Sequence, residues 1–260
     1  MSGPIITFLS DYGLEDEFVG VCHGVIAGIC PGATVIDLTH GIGRGDVRSG
    51  ALILSGALRY LPRGVHLAVV DPGVGSERRG VALRLADGRF LVGPDNGLLS
   101  LAADGGGGVV EAVDIGASPF ALEPASATFH GRDIFAPVAA RLAGGAALAD
   151  AGTPVDAGAL VVLELPRARL VDGVLVAHVV YVDRFGNVQL DAEPPEFEPG
   201  REFEVAGERA RYLRTFGDAG IGELLLYEDS SRRLAVAVNQ GDAAARLGLA
   251  VDDELRIRWA

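Results

Sequence analysis

Over the first part of the chain, short apolar runs alternate with segments of helical period, and that order leaves few folds open. Residues 5–9 read as a buried strand ending in the polar pair Ser10-Asp11. Phe18, Cys22, Val25, Ile26 and Ile29 then recur at helical spacing until Pro31-Gly32 stops the element. Residues 34–38 give a second strand, 46–60 a second helix and 65–70 a third strand. Strand, helix, strand, helix, strand predicts a parallel sheet, whose strands are apolar on both faces because helices cover both.

A later helix is expected from Asp133 to about Ala143, with Ile134, Val138 and Leu142 on one side. The Ala/Gly-rich residues 144–158 read as a surface connection. From about Leu170 the pattern changes to short β-rich runs (174–182, 187–190, 201–205, 224–227, 234–238 and 254–257) separated by turn residues. A small antiparallel barrel or sandwich fits that pattern. The expected architecture is thus an α/β domain over 1–164, with a mainly parallel sheet flanked by helices. A smaller all-β, barrel-like domain over 170–260 follows it, with the boundary between Ala159 and Leu170.

The formal net charge of −13, with no Arg-rich stretch free of nearby Asp or Glu, argues against nucleic acid as a partner. Every basic side chain is Arg, which excludes Schiff-base chemistry on Lys and a P-loop of the usual kind. Cys22 and Cys30 read as reduced core thiols. No Cys, His and carboxylate group shows zinc-ligand spacing, so neither metal nor cofactor is expected. No secretory leader is evident and the apolar runs are too short to span a bilayer, so a cytoplasmic protein without a membrane partner is expected.

Open α/β sheets bind ligands beyond the carboxyl ends of their strands. Three polar clusters fall at such ends or at helix starts: Ser10-Asp11-Tyr12-Gly13, residues 71–78 (Asp-Pro-Gly-Val-Gly-Ser-Glu-Arg), and Phe129-His130-Gly131-Arg132-Asp133. Each also has a plainer reading. Asp11 and Asp71 suit strand-end turns, and Asp133 suits a helix N-cap beside solvated His130 and Arg132. Pro94-Asp95-Asn96-Gly97 reads as a turn. His23, His66 and His178 read as satisfied core or surface histidines, while His40 stays unassigned.

At these clusters the chain resembles the S-adenosylmethionine hydrolases, also called SAM hydroxide adenosyltransferases, which are relatives of the fluorinases and chlorinases. The matching blocks are Ser10-Asp11-Tyr12-Gly13, Asp37-Leu38-Thr39-His40, residues 69–75, residues 93–97, residues 128–133, Asp183-Arg184-Phe185-Gly186-Asn187 and residues 237–241. Seven collinear blocks across both expected domains make a specific signal. The resemblance implies a catalytic set of Asp71, Arg78 and His130. It implies that Asp11 holds the ribose hydroxyls and that Asn187 reads the adenine edge. Asp183 would meet the methionine amine and Ser230 its carboxylate, with Phe185 and Gly131 also at the substrate. Gly131 falls where the fluoride-using relatives carry serine, which favours water over halide. Residues 229–235 depart from the family's usual segment, losing its Gly and Glu. The resemblance further implies a homotrimer with sites at subunit interfaces.

The implied reaction converts S-adenosyl-L-methionine and water into adenosine and L-methionine. A neutral thioether leaves a sulfonium, so expelling it needs no general acid; the difficulty lies in giving water hydroxide character. Arg78 would supply fixed positive charge, and His130 and Asp71 would handle the proton. Two rivals remain at this level: a halogenase of the same superfamily, and a non-catalytic S-adenosylmethionine or adenosine sensor.

Overall fold

The computed structural model describes residues 3–194 and 196–259. The chain divides into two compact units, Met1–Leu163 and Glu164–Ala260.

In the first unit the strands are β1 (Ile5–Ser10), β2 (Thr34–Thr39), β3 (Val65–Val69), β4 (Gly80–Leu85), β5 (Phe90–Pro94), β6 (Val109–Asp114) and β7 (Thr153–Pro154). They form one sheet in the order β2-β1-β3-β5-β4-β6-β7. Strands β2, β1, β3 and β5 are parallel, and β4, β6 and β7 extend the sheet antiparallel. Helices α1 (Phe18–Ile29) and α4 (Ala136–Ala143) cover one face; α2 (Val47–Leu58) and α3 (Ser100–Gly105) cover the other.

Residue spacing explains these layers. Along α1, Val19, Cys22 and Ile26 point inward. On β1 and β3, Ile6, Phe8, Val65 and Leu67 enter the α1/α4 core while Leu9 and Ala68 enter the other. Burying a side chain such as Phe8 or Leu67 contributes about 1.5–3 kcal/mol. Asp46 caps α2 by accepting the Ser49 N–H at 2.9 Å. A π-helical turn, Gly131–Phe135, leads directly into α4.

Residues 144–158 are more than a surface connection. Leu148 and Ala151 are buried in the α1/α4 core, and Thr153 pairs with Asp114 at the sheet edge. The small side chains let a 3-10 turn, Leu148–Ala151, tuck under the sheet.

In the second unit, β8 (Arg169–Val171), β9 (Val174–Val182), β10 (Val188–Leu190), β11 (Glu202–Val205), β12 (Glu208–Tyr212), β13 (Leu224–Glu228), β14 (Leu234–Val238) and β15 (Glu254–Trp259) form a second sheet, accompanied by the short helix α5 (Ala243–Leu247). Pairing runs β10-β14-β13-β12-β11-β15-β9, and β9 returns to β10, so seven strands close a barrel that β8 flanks. All barrel pairings are antiparallel except β12–β13. Phe203, Val205, Leu226, Val236 and Ile257 fill its interior.

Candidate active site

Asp71 lies just beyond the carboxyl end of β3, and the segment after it folds back on itself. The Val74 N–H donates to the Asp71 carbonyl at 3.3 Å, the Ser76 hydroxyl to the Gly73 carbonyl at 2.7 Å, and the Arg78 N–H to Ser76 Oγ at 3.3 Å. This returns Arg78 over Asp71. Its Nε donates to Oδ1 at 2.9 Å, and its Nη2 donates to Oδ2 in a second, shorter contact. Gly75 supports the fold-back at φ +78, where a Cβ would also meet the Ala127 carbonyl oxygen at 2.7 Å.

The third member arrives from the opposite direction. Asp133, 2% exposed, pairs with Arg132 at 2.7 Å and accepts the Ser126 N–H at 2.8 Å. It therefore anchors the segment that presents His130, rather than acting as a helix cap. Arg78 Nη2 lies 3.3 Å from His130 Nδ1. A guanidinium can only donate, so Nδ1 is the acceptor and the ring is the neutral tautomer with its proton on Nε2.

Asp71 and His130 line a cavity of about 150 Å³ together with Asp11, Tyr12, Phe18 and Phe129. Arg78 backs them, its guanidinium stacked 5.4 Å from the Phe135 ring centre. The side chains of the pair are nearly closed off from solvent, at 7% exposure for Asp71 and 9% for Arg78. Burial raises the Asp71 carboxyl above its ordinary value, with Arg78 pulling the other way. Burial, and then the Arg78 charge, lower His130 below the usual imidazole value. The chain thus holds a neutral imidazole and a carboxylate of enhanced basicity around one fixed cation.

Asp11 is oriented by the Gly45 N–H, which donates to Oδ2 at 2.8 Å. Tyr12, Phe18 and Phe129 form the apolar wall, with ring centres 5.2–5.9 Å apart. Gly131 is buried beside it, and a Cβ there would lie 2.0 Å from Tyr12 Oη. Burial also pushes the Tyr12 hydroxyl well above its ordinary pKa, so it stays a donor. The sequence places Tyr12 and Phe129 within its polar clusters but assigns them no role, and shows Phe18 only as part of a helical period; their meeting as one wall of this cavity comes from the fold.

In the second unit, Asp183, Phe185, Asn187 and Ser230 line one cavity of about 440 Å³ with Tyr227 and Asp229. Asp183 organises the turn after β9. Its Oδ1 accepts the Phe185 and Asn187 N–H groups at 2.8 and 3.0 Å, and its Oδ2 accepts Asn187 Nδ2 at 2.8 Å. Asn187 also carries Oδ1 as an acceptor and a second amide hydrogen as a donor. Phe185 is 66% exposed. Asp229 ties residues 229–233 by accepting the Ser231 and Arg233 N–H groups at 2.7 and 2.9 Å. That local turn is what this chain has where its segment departs from the family pattern.

Other sequence expectations resolve simply. Asp95 is buried and paired with Arg79 at 2.7 Å, and Asn96 Nδ2 donates to the Val70 carbonyl, so 94–97 is structural. His66 is a core residue bonded to Thr7, and His178 bonds Asp191. Cys22 and Cys30 are buried free thiols. His23 and His40 instead meet around Asp37, which spacing alone did not reveal. Among the described residues, no helix is long and apolar enough to cross a membrane.

Residues 6–152 match the model of the SAM hydroxide adenosyltransferase N-terminal domain, and residues 177–256 match that of its C-terminal domain. An (R)-S-adenosyl-L-methionine hydrolase of Salinispora tropica is 53% identical over 98% of this chain and 97% of its own length. A fluorinase of an Actinoplanes species is 29% identical, over 93% of each chain. The crystal structure of an uncharacterized conserved protein from Thermotoga maritima superposes with a TM-score of 0.89 at 35% identity, covering 97% of this chain and 99% of that one.

Proposed function

Because the chain belongs to the SAM hydroxide adenosyltransferase family, we propose that it hydrolyses S-adenosyl-L-methionine to adenosine and L-methionine. The observation that carries the reading is the Asp71–Arg78–His130 constellation beside a small cavity whose walls also include Asp11 and three aromatic rings.

The water oxygen attacks C5′ of the ribose, the C5′–S bond breaks, and its electron pair stays on sulfur as the neutral thioether of methionine. One proton leaves the water. Asp71 takes it, since burial makes this carboxylate more basic and His130 Nδ1 is already engaged by Arg78. His130 holds the nucleophile, and Arg78 acts through both, fixing their positions and stabilising the developing negative charge. Attack of an anionic oxygen on a sulfonium annihilates two charges, so an apolar wall that excludes water favours the transition state. No step asks for a metal or cofactor.

Asp11 holds the ribose hydroxyls and so aligns C5′. Asn187 reads the adenine edge, exposed Phe185 stacks on the base, and Asp183 and Ser230 meet the amino-acid end. The first-unit cavity, about 150 Å³, falls below the roughly 300–1,000 Å³ usual for a whole small-molecule ligand. It suits the ribose and C5′ alone. That favours a homotrimer with sites shared at subunit interfaces, as the family resemblance suggests. Two buried free thiols agree with a cytoplasmic protein.

Gly131 favours water over halide. The serine expected of the fluoride-using branch would place its Cβ 2.0 Å from Tyr12 Oη. The test is incubation of purified protein with S-adenosyl-L-methionine, with and without chloride or fluoride. Equimolar adenosine and methionine in both arms supports the reading; halogenated nucleoside, or ligand binding without any product, overturns it.

A further inference from the structure

Three side chains outside the catalytic set converge on one point. His23 comes from α1, Asp37 from β2 and His40 from the residue after it. His23 Nε2 lies 2.8 Å from Asp37 Oδ1, and His40 Nε2 lies 3.1 Å from the same oxygen. The three ligand-type atoms all fall within 4.8 Å of one another. His40 is 4% exposed, and its Nε2 is buried without a hydrogen bond among the described residues. Its other ring nitrogen is engaged by Ser10 Oγ at 2.7 Å. A buried ring nitrogen that faces a carboxylate oxygen without a well-directed hydrogen bond is poorly satisfied, and that costs free energy. In metal-bound histidines one ring nitrogen is likewise held by an outer hydrogen bond, which aims the other at the ion.

We propose that His23, Asp37 and His40 bind a divalent transition-metal cation of the zinc type through His23 Nε2, Asp37 Oδ1 and His40 Nε2. Two imidazoles and one carboxylate suit Zn²⁺ and Co²⁺, whereas Mg²⁺ and Ca²⁺ prefer all-oxygen sites. Ligand bonds of about 2.0–2.2 Å place neighbouring ligand atoms roughly 3.3–3.6 Å apart in a tetrahedron. The two contacts to Asp37 open slightly to reach that spacing. The side chains of His23 and Asp37 are 35% and 42% exposed, which gives them room to adjust and leaves further positions for water. With its Nε2 on the metal, His40 carries its proton on Nδ1 and donates to Ser10 Oγ. The cation ties α1 to the end of β2 and takes no part in the hydrolysis.

The test uses untagged full-length protein, stripped with a chelator and then titrated with Co²⁺ by visible absorbance and with Zn²⁺ by calorimetry. Histidine ring NMR follows the titration with diamagnetic Zn²⁺. The expected result is one ion per chain, with the His23 and His40 ring signals shifted and the other histidines unmoved. His23→Gln and Asp37→Asn each weaken binding at least tenfold, on the order of the loss seen for supporting residues alone, with unchanged circular dichroism. Absence of saturable binding by the wild type, affinity retained in either variant, or ring shifts centred on another histidine overturns the proposal. The NMR arm needs no variant.

Discussion

The hydroxyl of Tyr12 occupies the space that a side chain at Gly131 would need: a Cβ there would lie 2.0 Å from Tyr12 Oη and 3.1 Å from its Cζ. Overpacking of this kind costs about 1–3 kcal/mol. Gly131→Ala therefore lowers stability by that amount, and Tyr12→Phe, which removes the nearest atom, restores a substantial part of it in the double variant. A double-mutant cycle by chemical denaturation measures the coupling; strictly additive losses contradict the contact.

Arg78 holds both of its partners through a planar fork, two bonds to Asp71 and one to His130. Lysine cannot reproduce that fork. Arg78→Lys accordingly lowers kcat by roughly 10²-fold or more while KM moves little, since the loss falls on transition-state charge and positioning. Steady-state kinetics checks this, and a rise in KM with kcat unchanged contradicts it.

The pH profile has a defined direction. His130 works as a neutral ring, and its pKa is lowered from 6.5 by burial and by Arg78. Asp71 works ionised, and burial raises its pKa from 3.8. Both groups are in their working forms at neutral pH, and protonation of either stops the reaction. Turnover is thus level from pH 7 upward and falls only on the acid side, with its limb below 6.5. A limb centred at or above 6.5 contradicts the assignment.

His66 gives a stability prediction away from the site. It is fully buried, its Nδ1 bonds Thr7 Oγ1, its Nε2 has no hydrogen bond among the described residues, and burial lowers its pKa from 6.5 to about 4. Between those values the unfolded chain binds a proton that the folded chain refuses, so stability falls as pH drops through that window. From pH 7 to 4 the wild type loses about 3 kcal/mol more than His66→Leu. Denaturant midpoints across that range measure the difference; parallel curves contradict it.

What the sequence made legible follows from range. Strands β1 to β3 and helix α1 show themselves because apolar runs and a helical period contrast within a few residues. Strands β4, β5 and β6 do not stand out, although they are as long as β1 to β3: β4 and β5 are joined by a tight turn through Gly88 at φ +88, and β6 follows the glycine run 105–108. Leu148 and Ala151 are hidden by their Ala/Gly-rich surroundings, although both are core. Asp71, Arg78 and His130 each read locally as turn or surface residues, and only resemblance named them together. The Tyr12–Gly131 approach and the meeting of His23 with Asp37 and His40 arise from elements that touch only after folding. No local spacing encodes them.

The central claim is that a water held by Asp71 and His130 attacks C5′. Hydrolysis of S-adenosyl-L-methionine in ¹⁸O-labelled water, followed by mass analysis of the nucleoside, tests it directly. The account predicts one ¹⁸O in the 5′ hydroxyl of the adenosine formed and none in the methionine. Adenosine whose 5′ oxygen is unlabelled, or cleavage that yields no adenosine, would contradict it.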